Sequence, residues 1–204
     1  MIFVAYYTPG RYEEYLPACV ASLARWGLQY DVERVADLGS WQANTHFKAE
    51  FLDRKLREHR GEPLVYLDVD AVVEAKPTLF ESILADVGVY YHGPCPGKTP
   101  GVDEWRLFNG TIYLRNNWIS GEIVRAWRDE NRWSPLTTDQ ENLDRAIRSR
   151  LAARKPIQVQ RLPAGYCWVE EVMRGVYPEE PVVIRHFMES RATRIPGWKR
   201  TGRP

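Results

Sequence analysis

Apolar residues along this chain form short continuous runs that alternate with stripes at helical spacing. Ile2 to Tyr7 is the first run, and Thr8-Pro9-Gly10 ends it with a turn signal. Residues 12–26 then place large apolar side chains three and four positions apart, up to Gly27. The run is typical of a buried strand and the stripe is typical of an amphipathic helix. The chain therefore opens with a strand followed by a helix.

The same alternation continues through most of the sequence. It predicts strands at 2–7, 30–35, 64–67, 87–91, 107–114, 157–162 and 182–185, and helices at 12–26, 43–59, 77–84, 118–133 and 139–154. Strand–helix–strand units connect by right-handed crossovers and build parallel sheets covered on both faces. The predicted fold class is therefore α/β, a three-layer α/β/α sandwich with a mainly parallel central sheet.

Two segments do not follow this pattern. Residues 92–106 are rich in proline and glycine and lack periodicity, which is typical of a lid, a binding loop or a disordered connection. The tail from Ser190 to Pro204 contains five basic residues and no acid, and it could be a solvated end or a clamp for an anion. No linker or internal repeat divides the chain, so we expect residues 1–204 to form a single domain.

Composition narrows the class of protein. The chain has 204 residues, 44% of them hydrophobic, and a formal net charge of +1, which argues against a general nucleic-acid binder. No apolar run reaches membrane-spanning length and no leader pattern precedes the first strand, so we expect a cytoplasmic protein. Cys19, Cys95 and Cys167 are far apart and indicate neither a disulfide framework nor a zinc site.

The strongest candidate for chemistry is a pair of acids after the buried run at 64–67. Asp68 and Asp70 are spaced i, i+2, and in a strand this spacing puts both carboxylates on one face, where they can share a divalent cation. The carboxyl end of a central parallel strand is also where open α/β sheets bind ligands. The alternative is a pair of carboxylates that only caps the following turn.

Four separated motifs together resemble a known pattern. They are Leu67-Asp68-Val69-Asp70, Phe108-Asn109-Gly110-Thr111-Ile112-Tyr113-Leu114, Thr138-Asp139-Gln140-Glu141-Asn142-Leu143 and Ile184-Arg185-His186-Phe187. In this order they resemble the GT-A fold glycosyltransferases, particularly the glycogenin-like and nucleotide-diphospho-sugar transferase groups. The resemblance extends from Ile2 to Trp198 and implies the GT-A variant of the three-layer fold.

The resemblance implies a metal site. In those families the acidic pair and a late histidine bind Mn²⁺ or Mg²⁺, which bridges the two phosphates of a nucleotide-sugar, so the ligands carried over are Asp68, Asp70 and His186. Mixed oxygen and nitrogen donors suit Mn²⁺ better than Ca²⁺. A divalent ion would neutralise the charge that accumulates on the departing diphosphate. For a lone histidine, a core or surface role is the alternative.

The resemblance also implies contacts with the donor, which is expected to be a UDP-sugar. Thr8 and Tyr12 follow the first strand, where the family contacts uracil and ribose, and Asp68 and Lys48 are placed near the nucleotide. For Tyr12 the alternative is a surface tyrosine at a helix start, and for Lys48 it is an exposed helix lysine. The family closes a Lys-Pro-Trp motif on the diphosphate. Here the order is Pro196-Gly197-Trp198-Lys199, so contact by Lys199 departs from the family pattern.

Three residues correspond to the family's catalytic positions near the transferred sugar, namely Asn109, Asp139 and Gln140. Gly110 would let substrate approach the backbone. Asn-Gly is also a turn signal, and Thr138 with Glu141 forms a capping box, so each motif has a structural alternative.

The function implied is metal-dependent transfer of a sugar from a nucleotide-sugar to an acceptor. The resemblance favours retention, in which the departing phosphate deprotonates the acceptor; an inverting enzyme would need a base, for which Asp139 is the first candidate, before Asp103 and Glu104. The acceptor could be a glycan, a lipid-linked sugar, a protein or a modified nucleic-acid base. The alternatives are a haloacid dehalogenase-like phosphatase, for which the expected late acids are represented only by Glu170 and Glu171, and a non-catalytic binding module.

Overall fold

The computed structural model describes residues 1–93, 106–174 and 181–187, so most of the predicted loop at 92–106 and all of the basic tail lie outside the described residues. The strands are β1 Ile2–Tyr7, β2 Tyr30–Arg34, β3 Leu64–Leu67, β4 Ala71–Val73, β5 Val87–His92, β6 Arg106–Leu114, β7 Val159–Arg161, β8 Trp168–Val169 and β9 Ile184–His186. The α-helices are α1 Leu16–Arg25, α2 Trp41–Glu58, α3 Trp118–Trp133, α4 Asp139–Ala152 and α5 Glu170–Met173.

A six-stranded sheet with the order β2-β1-β3-β6-β5-β7 forms the centre of the fold. β1 pairs in parallel with β2 and β3, and β5 pairs in parallel with β7. β6 is antiparallel to both of its neighbours. Five of these six strands therefore point the same way, which confirms the mainly parallel sheet. The order reverses at β1, because β2 lies on one side of it and β3 on the other, and such switch points are where α/β sheets form crevices.

The two faces of the sheet are covered differently. On one face α2, α3 and α4 bury a cluster that includes Phe51, Leu52, Trp127 and Leu143. On the other face α1 packs together with a small second sheet, in which β9 lies between β4 and β8. The α/β fold class is thus confirmed, with the small sheet supplying part of one outer layer. The strands β4 and β8 were not predicted, because three and two residues are too short for a periodic signal.

Element ends differ from the prediction where local chemistry decides them. The helix predicted at 12–26 is a 3₁₀ turn at Arg11–Glu14 followed by α1, which begins at Leu16 with Pro17 in its first turn. Proline tolerates only that part of a helix, since it lacks the N–H that interior turns donate. The helix predicted at 77–84 is a single 3₁₀ turn, Thr78–Glu81. Across the described ranges, none of the helices is long and apolar enough to span a membrane.

Trp127 joins α3 to the start of α4. Its ring is fully buried, and its indole Nε1 donates a hydrogen bond of 2.7 Å to the carbonyl oxygen of Asp139, the first residue of α4. A buried aromatic side chain of this size contributes both packing and, here, a satisfied polar atom. The position of the α4 N-terminus therefore depends on Trp127.

We expect Trp127→Ala to lower the free energy of unfolding by about 3–5 kcal/mol, because it leaves a large cavity and removes the indole hydrogen bond to the start of α4. Trp133 lies on the same helix but is 75% exposed, so Trp133→Ala should change stability by no more than about 0.5 kcal/mol. Urea unfolding at 25 °C measures both. Equal effects of the two substitutions would contradict the role given to Trp127.

Candidate active site

A cleft of about 780 Å³ opens at the carboxyl ends of β1 and β3, beside the switch point of the sheet. Nine of the ten predicted site residues line it: Thr8, Tyr12, Lys48, Asp68, Asp70, Asn109, Asp139, Gln140 and His186. The tenth, Lys199, lies outside the described residues. The elements that carry these nine are separated in sequence, and the strand order brings their ends to one place.

Asp68, Asp70 and His186 form a cluster whose potential ligand atoms all lie within 4.8 Å of one another. The acids occupy a tight turn between β3 and β4, closed by a hydrogen bond from the Ala71 amide to the Asp68 carbonyl. The prediction that both acids lie on one face of a strand is therefore wrong, because the turn rather than strand alternation brings them together. His186 reaches them because β9 pairs with β4, and the Phe187 amide donates to the Asp70 carbonyl at 3.1 Å.

The His186 imidazole can bind a metal ion at neutral pH without first releasing a proton. Burial lowers the pKa of its imidazole to about 4, helped by Lys48 and opposed by Asp68, so the ring is neutral. Its Nε2 lies 2.9 Å from the Thr111 hydroxyl oxygen. The tautomer that donates from Nε2 to Thr111 leaves the lone pair of Nδ1 available to a cation.

Gly110 provides the space in which these side chains meet. A Cβ at this position would lie 2.8 Å from His186 Nδ1 and 3.2 Å from Asp68 Oδ2. Gly110 belongs to β6, and its carbonyl accepts a hydrogen bond of 2.9 Å from the Asp68 amide. The sequence suggested that a missing side chain would admit substrate, whereas the structure places two potential metal ligands in that space.

Lys48 is a buried cation at the base of the cleft, with 3% of its surface exposed. Its Nζ lies 2.9 Å from Asp68 Oδ1 and 3.5 Å from Asp139 Oδ2, and it donates to the Asn109 carbonyl at 3.3 Å. Burial acts to lower the pKa of the ammonium, but the two carboxylates outweigh it and raise the pKa. The alternative of an exposed helix lysine is therefore wrong, and Lys48 is held charged between two elements of the site.

Asp139 and Gln140 begin α4 and differ in their surroundings. Asp139 is buried, and its Oδ2 accepts a hydrogen bond of 2.7 Å from Asn109 Nδ2 in addition to the contact with Lys48. The Gln140 amide lines the cleft and has no hydrogen-bond partner among the described residues. Thr138 and Glu141 form the predicted capping box, which fixes the helix start. The Asp139 carboxylate is thus already bonded within the protein, whereas the Gln140 amide can bind a ligand.

Comparison with solved structures identifies the fold. A glycosyltransferase involved in the glycosylation of the major capsid of PBCV-1 superposes with a TM-score of 0.68 at 15% identity, covering 95% of each chain. The glycosyltransferase GlyE of Streptococcus pneumoniae TIGR4, in its apo form, gives 0.59 at 16% identity over 92% of this chain and 54% of that one. The chain has a glycosyltransferase fold. No protein-family model and no curated protein matches the sequence.

This fold separates the rival interpretations. The matched structures are glycosyltransferases, so the phosphatase alternative gains no support from them. Glu170, considered as a late acid for that alternative, instead pairs with Arg185 and Arg174. The matched region covers 54% of the GlyE chain, and at 15% and 16% identity both likenesses concern the fold alone.

Some residues of the site were missed or were predicted in other roles. Arg11, Trp41, Tyr66, Arg106 and Phe108 also line the cleft. Arg11 could have been found as the neighbour of Tyr12, and Phe108 and Tyr66 as neighbours of Asn109 and Asp68, but Trp41 and Arg106 carry no local signal. Trp168 is buried in β8 and donates to Glu170 at 2.8 Å, so it belongs to the core. Asp103 and Glu104, the later candidates for a base, lie outside the described residues.

A second group of potential metal ligands lies beside β2 and does not form a vacant cation site. Asp31, Glu58 and His59 come within 4.8 Å of one another, but Lys55 lies between them. Its ammonium is 2.7 Å from Asp31 and 2.9 Å from Glu58. A protein cation already neutralises these acids, so they are part of an ion-pair network.

We expect Gly110→Ala to abolish or strongly weaken divalent-metal binding, because the new methyl group would displace His186 or Asp68 from their present positions. Gly121→Ala is a matched control, since its Cβ would meet only the flexible end of Arg125 at 3.4 Å and alanine suits a helix interior. Titration of Mn²⁺ followed by electron paramagnetic resonance measures both variants. Unchanged Mn²⁺ affinity in Gly110→Ala would show that this space is not needed by the ligands.

Proposed function

We propose that this protein is a metal-dependent glycosyltransferase of the GT-A type, which moves a sugar from a nucleoside-diphosphate sugar to an acceptor. The observation that carries the proposal is the cluster of Asp68, Asp70 and His186 in a cleft at the switch point of a glycosyltransferase fold. A buried neutral imidazole beside two carboxylates is a donor set for a divalent cation. The space left by Gly110 fits the same assignment.

The three ligands would hold Mn²⁺ or Mg²⁺, and the mixed oxygen and nitrogen set favours Mn²⁺. When bound, the ion neutralises charge on the diphosphate leaving group. The protein's part is to fix the ligands in advance: the turn after β3 presents Asp68 and Asp70, and the pairing of β9 with β4 presents His186. Preorganised ligands need little rearrangement at the moment of reaction.

The donor nucleotide is proposed to lie along the ends of β1 and β3, with UDP as the expected nucleotide. Thr8 is buried directly after β1, and Tyr12, a half-buried residue of the following 3₁₀ turn, lines the cleft. An aromatic ring and a hydroxyl at this place can contact a base and a ribose. Lys199 is proposed as a further contact with the diphosphate.

The transferred sugar is proposed to face Gln140, and retention is the proposed stereochemistry. Asp139 Oδ2 is engaged by Asn109 and Lys48, so this carboxylate is better placed to hold the site than to take a proton from an acceptor. The departing diphosphate can accept that proton on the same face of the sugar. Asn109 and Asp139 then hold this side of the cleft in place, and the Gln140 amide orients the sugar hydroxyls.

Binding of nucleoside diphosphates with and without Mn²⁺ tests the donor site. With Mn²⁺ and UDP at about 100 times its Kd, we expect stabilisation of about 2.7 kcal/mol and a rise in Tm of roughly 5–10 °C. Asp70→Asn should lose this shift, because an amide is a weaker metal ligand than a carboxylate. Asp129→Asn makes the same chemical change on an outer surface of α3 and should keep the shift.

Binding of ADP, GDP, CDP and UDP is measured by thermal shift and calorimetry, so the test does not depend on uracil being the nucleobase of the donor. If no nucleotide binds under any metal condition, the proposed function is wrong. If Asp70→Asn and the wild type bind the nucleotide equally well in the presence of Mn²⁺, the assignment of Asp70 as a metal ligand is wrong.

Retention predicts that the sugar released from an α-linked UDP-sugar first appears as the α-anomer. Slow hydrolysis of UDP-glucose or UDP-galactose in the presence of Mn²⁺, followed by proton NMR before mutarotation, shows which anomer forms. Initial appearance of the β-anomer would indicate inversion. In that case a carboxylate of the cleft would have to act as the general base that deprotonates the acceptor.

A further inference from the structure

Tyr66 is a buried polar residue of the site that the proposed function does not use. It lies in β3 two residues before Asp68 and is 2% exposed. Its hydroxyl donates a hydrogen bond of 2.8 Å to Asp68 Oδ1. A buried hydroxyl needs a partner, and here the partner is a carboxylate oxygen of a proposed metal ligand.

The two oxygens of Asp68 face different neighbours. Oδ1 is shared by the Tyr66 hydroxyl and by the Lys48 ammonium at 2.9 Å. Oδ2 lies on the other side, 3.2 Å from the point where a Cβ on Gly110 would be, and His186 Nδ1 is 2.8 Å from that point. The protein thus occupies one oxygen with donors and directs the other toward the imidazole nitrogen.

Packing holds the Tyr66 hydroxyl in place. The Tyr66 ring packs against Phe51 at a centroid distance of 6.2 Å and against Tyr6 at 6.1 Å. The Lys48 ammonium lies over the same ring, 4.9 Å from its centroid. A ring fixed on several sides gives its hydroxyl a single direction, so the bond to Oδ1 is built into the folded structure.

We propose that Tyr66 is a positioning residue which, together with Lys48, makes Asp68 a one-oxygen ligand through Oδ2 and so favours Mn²⁺ over Ca²⁺ at this site. The inference rests on the proposed function, which assigns the cluster as a metal site. Ca²⁺ takes six to eight oxygens and often both oxygens of a carboxylate, whereas smaller cations prefer octahedral sites with fewer protein ligands. A carboxylate with one oxygen already engaged serves the smaller cation better.

Tyr66→Phe removes only the hydroxyl and tests the inference on the full chain without a substrate. We expect Mn²⁺ affinity to fall about 10-fold, the lower end of the effect of losing a partner that orients a metal ligand. Because Oδ1 becomes more available, Ca²⁺ affinity should fall less or rise, so the ratio of the Ca²⁺ and Mn²⁺ dissociation constants decreases. Electron paramagnetic resonance gives the Mn²⁺ constant, and competition by Ca²⁺ gives the other.

Tyr113→Phe is the matched control. Tyr113 is also buried, but its hydroxyl donates to the Ile83 carbonyl at 3.2 Å rather than to a site residue, so both metal affinities should stay at wild-type values. Thermal unfolding without metal reports the general cost of each lost hydroxyl. If Tyr66→Phe does not fold, the wild type still tests the inference, because it should bind Mn²⁺ more tightly than Ca²⁺, and equal or tighter binding of Ca²⁺ would contradict it.

Two results would overturn the inference while leaving the proposed function intact. One is weakening of Mn²⁺ and Ca²⁺ by the same factor in Tyr66→Phe, which is what a loosened structure produces. The other is an unchanged ratio with unchanged affinities. Failure of the wild type to bind Mn²⁺ at all would instead overturn the metal site itself, and with it both proposals.

Discussion

The buried ammonium of Lys48 is the constraint on which the site depends. A charge taken out of water must be compensated nearby, and here Asp68 and Asp139 supply the compensation from two other elements. The pair therefore ties α2 to the end of β3 and to the first residue of α4. Asn109 completes the arrangement by accepting from Lys48 and donating to Asp139. Removing any one partner would leave the others buried with an unpaired polar group or charge.

Backbone pairing determines where the remaining groups of the cleft lie. His186 is more than a hundred residues from the acids in sequence, and it reaches them because Ala71 is its partner in the register of β4 and β9. Arg185, the preceding residue, pairs with Glu74 and Glu170 and so fixes β9 between its two neighbouring strands. Gly110 lets the side chains close together. The pairing register of β4 and β9 and the absence of a side chain at Gly110 thus bring the cluster together.

Long periodic elements could be predicted from the sequence, and contacts between distant residues could not. β1, β3 and α3 have the predicted bounds, because each is a continuous apolar run or a helical stripe with polar or turn residues at its ends. Six of the nine residues that line the cleft lie in short motifs whose order resembles a family, and Thr8, Tyr12 and Lys48 were predicted from the places that the same resemblance gives them. The burial of Lys48 and the bond from Tyr66 to Asp68 were not predictable in this way. They depend on how α2 packs over β3, and that packing has no local signature.

The charges of the cleft account for a dependence on metal under the proposed function. By formal charge, Asp68, Asp70 and Asp139 count three negative charges, Lys48 one positive charge and His186 none, so these five residues have a formal net charge of −2. A diphosphate placed directly against these five residues would be repelled, whereas Arg11 and Arg106 in other parts of the cleft would attract it. One divalent cation brings the sum to zero and offers the phosphates a direct partner. Under the proposed function the ion would therefore bind before the donor or together with it. Lys48 limits the negative charge of these five residues to two, which is the charge that one divalent ion can balance.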